Sequence, residues 1–187
     1  MRKLILQEWM SLDAFAADEN GGLDFMSSPD LNKLSDDDQT AMMDGIDLII
    51  LGANTYQMFS SYWPNVSAEE EKIADKLNAT PKLIFSKTLK EAPWGSWPAA
   101  DIHVGDAAEK IRELKQQQGK DIVLWGSLSL AHALIRENLI DEYHIRICPA
   151  ILGKGIPLFP ADFAMEKLKH AGTKTYDSGL VLLSYTN

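Results

Sequence analysis

The stretch Asp121-Ile122-Val123-Leu124-Trp125-Gly126-Ser127-Leu128-Ser129-Leu130, continued from Ala131 to Phe159, decides the fold. Its first five residues form a short, bulky apolar run of the kind expected for a strand covered on both faces of a largely parallel sheet. Gly126 ends it. Ser127 stands where a helix N-cap belongs, and Leu128, Ala131, Leu134 and Ile135 repeat at helical spacing up to Asn138, a left-handed terminator. A strand that passes through glycine into a helix start suits an anion. Glycine lets a ligand approach the backbone, and the free N–H groups and dipole of the helix start favour a group such as phosphate. An ordinary tight turn has the same order of residues, so this segment alone leaves both readings open.

Beyond Leu139-Ile140-Asp141-Glu142, the residues Tyr143, Ile145 and Ile147 alternate with His144 and Arg146. That pattern predicts a strand with one buried face and one face that is wet or at an interface. The run Pro149-Ala150-Ile151-Leu152-Gly153-Lys154-Gly155-Ile156-Pro157-Leu158-Phe159 follows. Gly-Ser, a helix, Leu-Ile-Asp-Glu, an alternating strand, Pro, Ile-Leu-Gly-x-Gly and Leu-Phe, in that order, resemble the dihydrofolate-reductase-fold family that includes the reductase domain of riboflavin-biosynthesis deaminase-reductases.

Working towards the N-terminus, Asp47-Leu48-Ile49-Ile50-Leu51-Gly52 is a second apolar run ending in glycine, with Ala53-Asn54-Thr55-Tyr56 at a helix start. It resembles the family's Gly-Arg-x-Thr motif, with Ala53 in place of the arginine. The resemblance implies that Gly52, Asn54 and Thr55, together with Gly126, Ser127 and Leu128, hold the pyrophosphate of NADPH. Lys82-Leu83-Ile84-Phe85 reads as a third strand. The corner after it, Ser86-Lys87-Thr88, matches the family's Ser-basic-Thr site for the adenosine phosphate, so Lys87 compensates for Ala53 or stands as a solvated loop lysine.

The N-terminal run Lys3 to Met10 is a strand interrupted by Gln7 and Glu8. Ser11-Leu12-Asp13-Ala14 resembles the family's Ser-Leu-Asp-Gly segment, in which Ala14 replaces a glycine and is expected to alter the local backbone. Asp13 is a candidate substrate ligand or a turn cap. Asn20-Gly21-Gly22 is loop chemistry, and Ser28-Pro29 starts a helix that runs to about Asp44. The resemblance places Asp30, with Asp24 as the second choice, as the catalytic acid and Phe25 beside the substrate. Asp30 in a first helical turn also serves the helix dipole. Asp36-Asp37-Asp38 is expected in a solvated turn or a second helix start, because consecutive carboxylates cannot all face one cation.

Glu69 to Asn78 reads as a short acidic helix. Trp94 and Trp97 lie in a Pro- and Gly-rich connection that serves as a lid, a dimer contact or packing within the domain. Asp106 and Glu109 form a capping box, and residues 165–176 and 180–185 form a terminal hairpin.

With 187 residues and 45% hydrophobic content, one domain with a sizeable core is expected. A net charge of −9 argues against nucleic acid and anionic membranes as partners. There is no leader-like segment and no apolar run of membrane length, so a cytoplasmic protein is expected. Cys148 is a lone, buried thiol, and His103, His132, His144 and His170 lack metal-ligand spacing. No Gly-x-Ser-x-Gly elbow supports a hydrolase.

The expected architecture is therefore α/β and dihydrofolate-reductase-like, a single domain over 1–187 with a mostly parallel sheet, helices on both faces and an antiparallel C-terminal hairpin. The function the resemblance implies is NADPH-dependent hydride transfer to a small pteridine-like or ribitylamino-pyrimidine-like substrate in a homodimer. The alternatives are a noncatalytic nucleotide-binding protein that kept the fold, for which Ala14 and Ala53 speak, and a flavin-type reductase.

Overall fold

A computed structural model describes residues 1–27 and 29–187, without the side chains of residues 29, 30 and 32–35. In chain order the strands are β1 (Leu4–Ser11), β2 (Phe15–Ala17), β3 (Ile46–Gly52), β4 (Lys82–Phe85), β5 (Asp101–His103), β6 (Asp121–Trp125), β7 (Glu142–Cys148), β8 (Ile156–Pro157), β9 (Lys169–Thr175) and β10 (Val181–Thr186). The helices are α1 (Pro29–Met42), α2 (Ala53–Tyr62), α3 (Ala74–Ala79), α4 (Ala107–Gln116) and α5 (Leu128–Arg136).

Eight strands form one sheet in the order β5-β4-β3-β6-β1-β7-β10-β9. It is parallel from β5 to β7, and β10 runs antiparallel to both β7 and β9. The apolar runs have no polar alternation because successive residues enter different cores. Leu4 and Leu6 of β1, Ile122 and Leu124 of β6 and Ile50 of β3 pack with Ile111 and Leu114 of α4 and with Leu130, Ala131, Leu134 and Ile135 of α5. Ile5, Ile49, Leu51, Val123 and Trp125 face the other way, into Tyr56 of α2 and Leu77 of α3. A strand buried on both faces has no position that tolerates water.

Several local expectations change. The acidic helix shrinks to α3, and its C-terminal carbonyls are capped by Lys82, whose Nζ donates to Leu77, Asn78 and Thr80 oxygens at 2.7 Å. Burial pushes the Lys82 ammonium down to about 7, and the side chain also lies 4.5 Å from the Trp94 ring centre. Trp94 is fully buried and donates from Nε1 to Asn78 Oδ1 at 2.7 Å, so it packs within its own domain and forms neither a lid nor a dimer contact.

Asp36, Asp37 and Asp38 lie inside α1 and diverge, because consecutive helical residues point about 100° apart. Asp37 pairs with Lys72, Asp38 accepts from Lys174 and Tyr176, and Asp36 is buried. The polar side of β7 is not wet either. Arg146 is 2% exposed and lies 5.6 Å from the Trp9 ring. Of the expected capping box the Asp106 half is present, with Glu109 N donating to Asp106 Oδ1 at 2.8 Å. The proposed N-cap Ser28 lies outside the described residues.

Ala14 keeps the backbone its replacement was expected to alter. Its φ is +68°, its N–H donates to Ser11 O at 3.0 Å, and its carbonyl accepts from Leu158 N at 3.2 Å. Neighbouring contacts hold it there against a steric cost of about 1–2 kcal/mol. Ala14→Gly should therefore raise stability by about 1 kcal/mol in urea unfolding, since removal of the strained Cβ outweighs the added freedom of the unfolded chain. A loss of stability would show that this turn is not left-handed.

Candidate functional site

The C-terminal ends of β4, β3 and β6 lie side by side, and the register of β1 with β6 ends at Gln7 opposite Trp125. Beyond that pair β1 continues to Ser11 beside β7 alone. Where the two strands part, a cleft of about 1280 Å³ opens along the sheet edge. Crevices at the carboxyl ends of strands are where α/β sheets bind ligands.

Three corners form one wall of the cleft. Gly52, Asn54 and Thr55 contribute the turn from β3 into α2; Gly126, Ser127 and Leu128 contribute the turn from β6 into α5; and Ser86, Lys87 and Thr88 follow β4. Ser86 Oγ fixes its corner by accepting the N–H groups of Thr88 and Leu89 at 3.2 and 3.1 Å, while Lys87 is exposed. Ala53, at the position of the motif's arginine, also faces the cleft.

The two glycine turns are packed against each other. A Cβ on Gly126 would lie 2.7 Å from Thr55 Cγ2, and one on Gly52 would lie 2.8 Å from Ser127 Oγ. The first demand on these glycines is therefore the approach of one turn to the other. Ser127 does not cap α5: its own φ is +61°, and its hydroxyl crosses to the neighbouring turn. There Ser127 Oγ accepts the Gly52 N–H at 2.5 Å and donates to Thr55 Oγ1 at 2.9 Å. Neither α2 nor α5 has a side-chain cap, so the N–H groups at both helix starts remain available to an anion in the cleft.

The same cleft also holds buried acids, and sequence reasoning missed them. Glu8 sits where β1 leaves β6, is 8% exposed, and its Oε1 has no hydrogen-bond partner. Burial pushes its carboxyl up from 4.5 to about 8, against the opposing pull of the Trp9 and Gly126 N–H groups. Gln7 donates from Nε2 to Gln39 Oε1 at 2.8 Å, which leaves its own buried Oε1 unpartnered. Asp36 of α1 and Glu71 line the same cleft. Burial and the adjacent Glu71 carboxylate push Asp36 up to about 6. The available signal was Gln7-Glu8 in the middle of a core strand, where two adjacent polar residues cost free energy unless something uses them.

The remaining candidates are not brought into this wall. Asp13 lies beyond the end of β1, where it accepts from Ser11 Oγ at 2.6 Å and from Leu152 N and Gly153 N at 3.1 and 2.7 Å. The Ser11 hydroxyl and the two N–H groups hold its carboxyl below the usual range, and the contacts pin the Ile-Leu-Gly-x-Gly turn to the N-terminal strand. Asp24 is exposed on a short turn, and Phe25 packs with Leu31, Cys148 and Leu180. The side chain of Asp30 lies outside the described residues. Among the described residues no cluster of His, Cys, Asp or Glu could hold a metal ion, and no helix is long and apolar enough to cross a membrane.

Two substitutions test this geometry. Ser127→Ala leaves the half-buried Gly52 N–H unpaired and should cost about 1 kcal/mol in urea unfolding. Glu8→Gln tests the buried acid through linkage. The folded state keeps a proton that the unfolded chain releases above about 4.5, so wild-type stability falls by about 1.4 kcal/mol per pH unit from there to about 8. The variant should lose that slope and be the more stable protein at pH 8; an unchanged slope would place Glu8 in water.

Residues 2–182 match the model of the RibD C-terminal domain. A Bacillus subtilis (strain 168) protein called uncharacterized protein YyaP is 32% identical over 98% of this chain and 94% of its own length. A crystal structure of a protein assigned to riboflavin biosynthesis from Shewanella sp. PV-4 superposes with a TM-score of 0.78 at 23% identity, covering 98% of each chain. Dihydrofolate reductase from Enterococcus faecalis, complexed with NADP(H), superposes at 0.63 with 12% identity, covering 98% of this chain and 95% of its own.

Proposed function

Since the chain belongs to the RibD C-terminal domain family, we propose that it is an NADPH-dependent reductase of a small heterocyclic, pteridine-like or ribitylamino-pyrimidine-like substrate. The observation that carries this reading is the pair of uncapped helix starts, locked side by side and facing one cleft that also holds a buried acid. A volume of about 1280 Å³ exceeds the roughly 300–1,000 Å³ typical of a site for one small ligand, and suits a dinucleotide with a substrate beside it.

The residues present fit that cofactor. The N–H groups at the starts of α2 and α5, with the Thr55 and Ser127 hydroxyls between them, form a donor set for a pyrophosphate. Ser86, Lys87 and Thr88 would meet the adenosine phosphate, Lys87 supplying the charge that Ala53 does not. Bound there, NADPH supplies a hydride to a C=N or C=O bond.

The protein's part is to exclude water, orient the substrate and hold a proton near the acceptor. Glu8 is suited to the last task, because a carboxyl that titrates near 8 is largely protonated at neutral pH. Asp24, exposed on its turn, is less suited. A homodimer is part of the proposal, and light scattering should then give twice 20.8 kDa.

Calorimetric titration with NADPH and with NADH tests the cofactor. NADPH should bind at least tenfold tighter, about 1.4 kcal/mol, and Lys87→Ala should erase most of that difference. If neither dinucleotide binds, the reductase reading fails. Turnover, read as loss of nicotinamide absorbance, should decline as pH rises through about 8, and Glu8→Gln should lower kcat by about 10²-fold or more. Tight NADPH binding without turnover of any aminopyrimidine or pteridine would favour a nucleotide-binding protein that kept the fold.

A further inference from the structure

Strands β7, β10 and β9 carry their charges on one face. Arg146 of β7 lies against Trp9 there, and Lys174 of β9 donates to Asp38 of α1 at 2.8 Å. Glu142 and His144 alternate onto the same side of β7 as Arg146, and Lys169 joins them through the register of Thr186 with Glu142. On the other side the register sets Met10, Ile147, Val181 and Thr175 in one row across β1, β7, β10 and β9. Leu183 and Thr173 face each other in the next row. Glu8, the acid that β1 adds to this side, is buried, so the outward surface of the two rows is uncharged.

A sheet face left to water is expected to be polar, since an antiparallel sheet with one solvated side alternates apolar-in and polar-out. This face is not. Val181 and Leu183 are partly exposed, and they enter none of the three apolar clusters formed among the described residues. At the carboxyl ends of β1 and β7 the surface runs on to Leu12 and Ile151, which are 64% and 72% exposed. The two segments are joined there by the Leu12 N–H, which donates to Ala150 O at 2.8 Å. Contiguous exposed apolar surface of this kind marks a protein contact.

The charge pattern selects the occupant. A two-fold contact sets residues near the axis against their own copies, so a charge there meets a like charge. The uncharged side of these strands escapes that penalty. In a chain of net charge −9 it is also where a second copy is repelled least. A foreign partner steered by complementary charge finds no pattern to read on it. Resting on the homodimer named above, we propose that the face bearing Val181 and Leu183 is the interface with a second copy of this chain, sheet packed on sheet about 10 Å apart.

Light scattering and sedimentation of the full chain over a range of concentrations test this. The wild-type chain should give twice 20.8 kDa. Leu183→Lys should weaken the dimer at least tenfold, because each copy then brings a cation to a contact that holds no anion. The double variant Val181→Thr, Leu183→Thr should weaken it similarly while keeping strand propensity, and it decides the matter if the lysine variant fails to fold. Lys169→Glu, on the charged side of β9, should leave the mass unchanged. A wild-type mass of 20.8 kDa removes the homodimer and the interface together. A monomer that holds a different protein through Leu183 overturns the second copy as occupant. Folded Leu183 variants that stay as tightly dimeric as the wild type overturn this interface alone and leave the homodimer standing.

Discussion

The structure depends on one constraint: three parallel strands, β3, β6 and β1, are buried on both faces and cannot end independently. Each must leave the sheet at its carboxyl edge without exposing apolar side chains, and two of them do so through turns that occupy the same space. Gly52 and Gly126 have no side chain because the neighbouring turn is already there. The Ser127 hydroxyl then satisfies the Gly52 N–H and binds Thr55. Two helix starts are thereby fixed side by side at the mouth of one cleft. A wall of uncapped helix starts follows from closing the core, before any ligand is considered.

The same economy explains the buried acid beside these turns. Once β6 has turned away at Gly126, the next residue of β1 loses its neighbour on that side, and Glu8 occupies the gap. A carboxyl there cannot be hydrated as it would be in water, and burial raises its proton affinity. The site thus combines backbone N–H donors with side-chain acids in one cleft, two groups of opposite polarity. That polarity is fixed by where strands stop.

The fold was legible because double-sided burial leaves a plain mark: apolar runs, two of them closed by glycine and followed by a helical repeat. The glycine turns and the Ser86-Lys87-Thr88 corner were legible for the same reason, since they sit at the ends of those runs. What was hidden depended on neighbours distant in the chain. Nothing local distinguishes a Ser127 that caps its helix from one that reaches 75 residues back to Gly52. Asp36, Asp37 and Asp38 read as a solvated cluster, and only the packing of α1 shows that one of them is buried. Ala14 read as a departure from glycine, yet its contacts on both sides hold the glycine-like backbone. Gln7 and Glu8 were visible as interruptions, but their meaning needed the point at which β1 and β6 separate.

The strand β9, at the sheet edge away from β5, has consequences for how copies of this chain can meet. Every residue of it is exposed or partly exposed, and Lys169, His170 and Lys174 punctuate it. A second sheet cannot dock flush against such an edge without stripping water from those charges, so continuation of the sheet from one molecule into the next is disfavoured. Association at this side of the sheet would have to use faces and loops, which keeps the β9 edge out of the open-ended stacking to which flat, uncharged edges are prone.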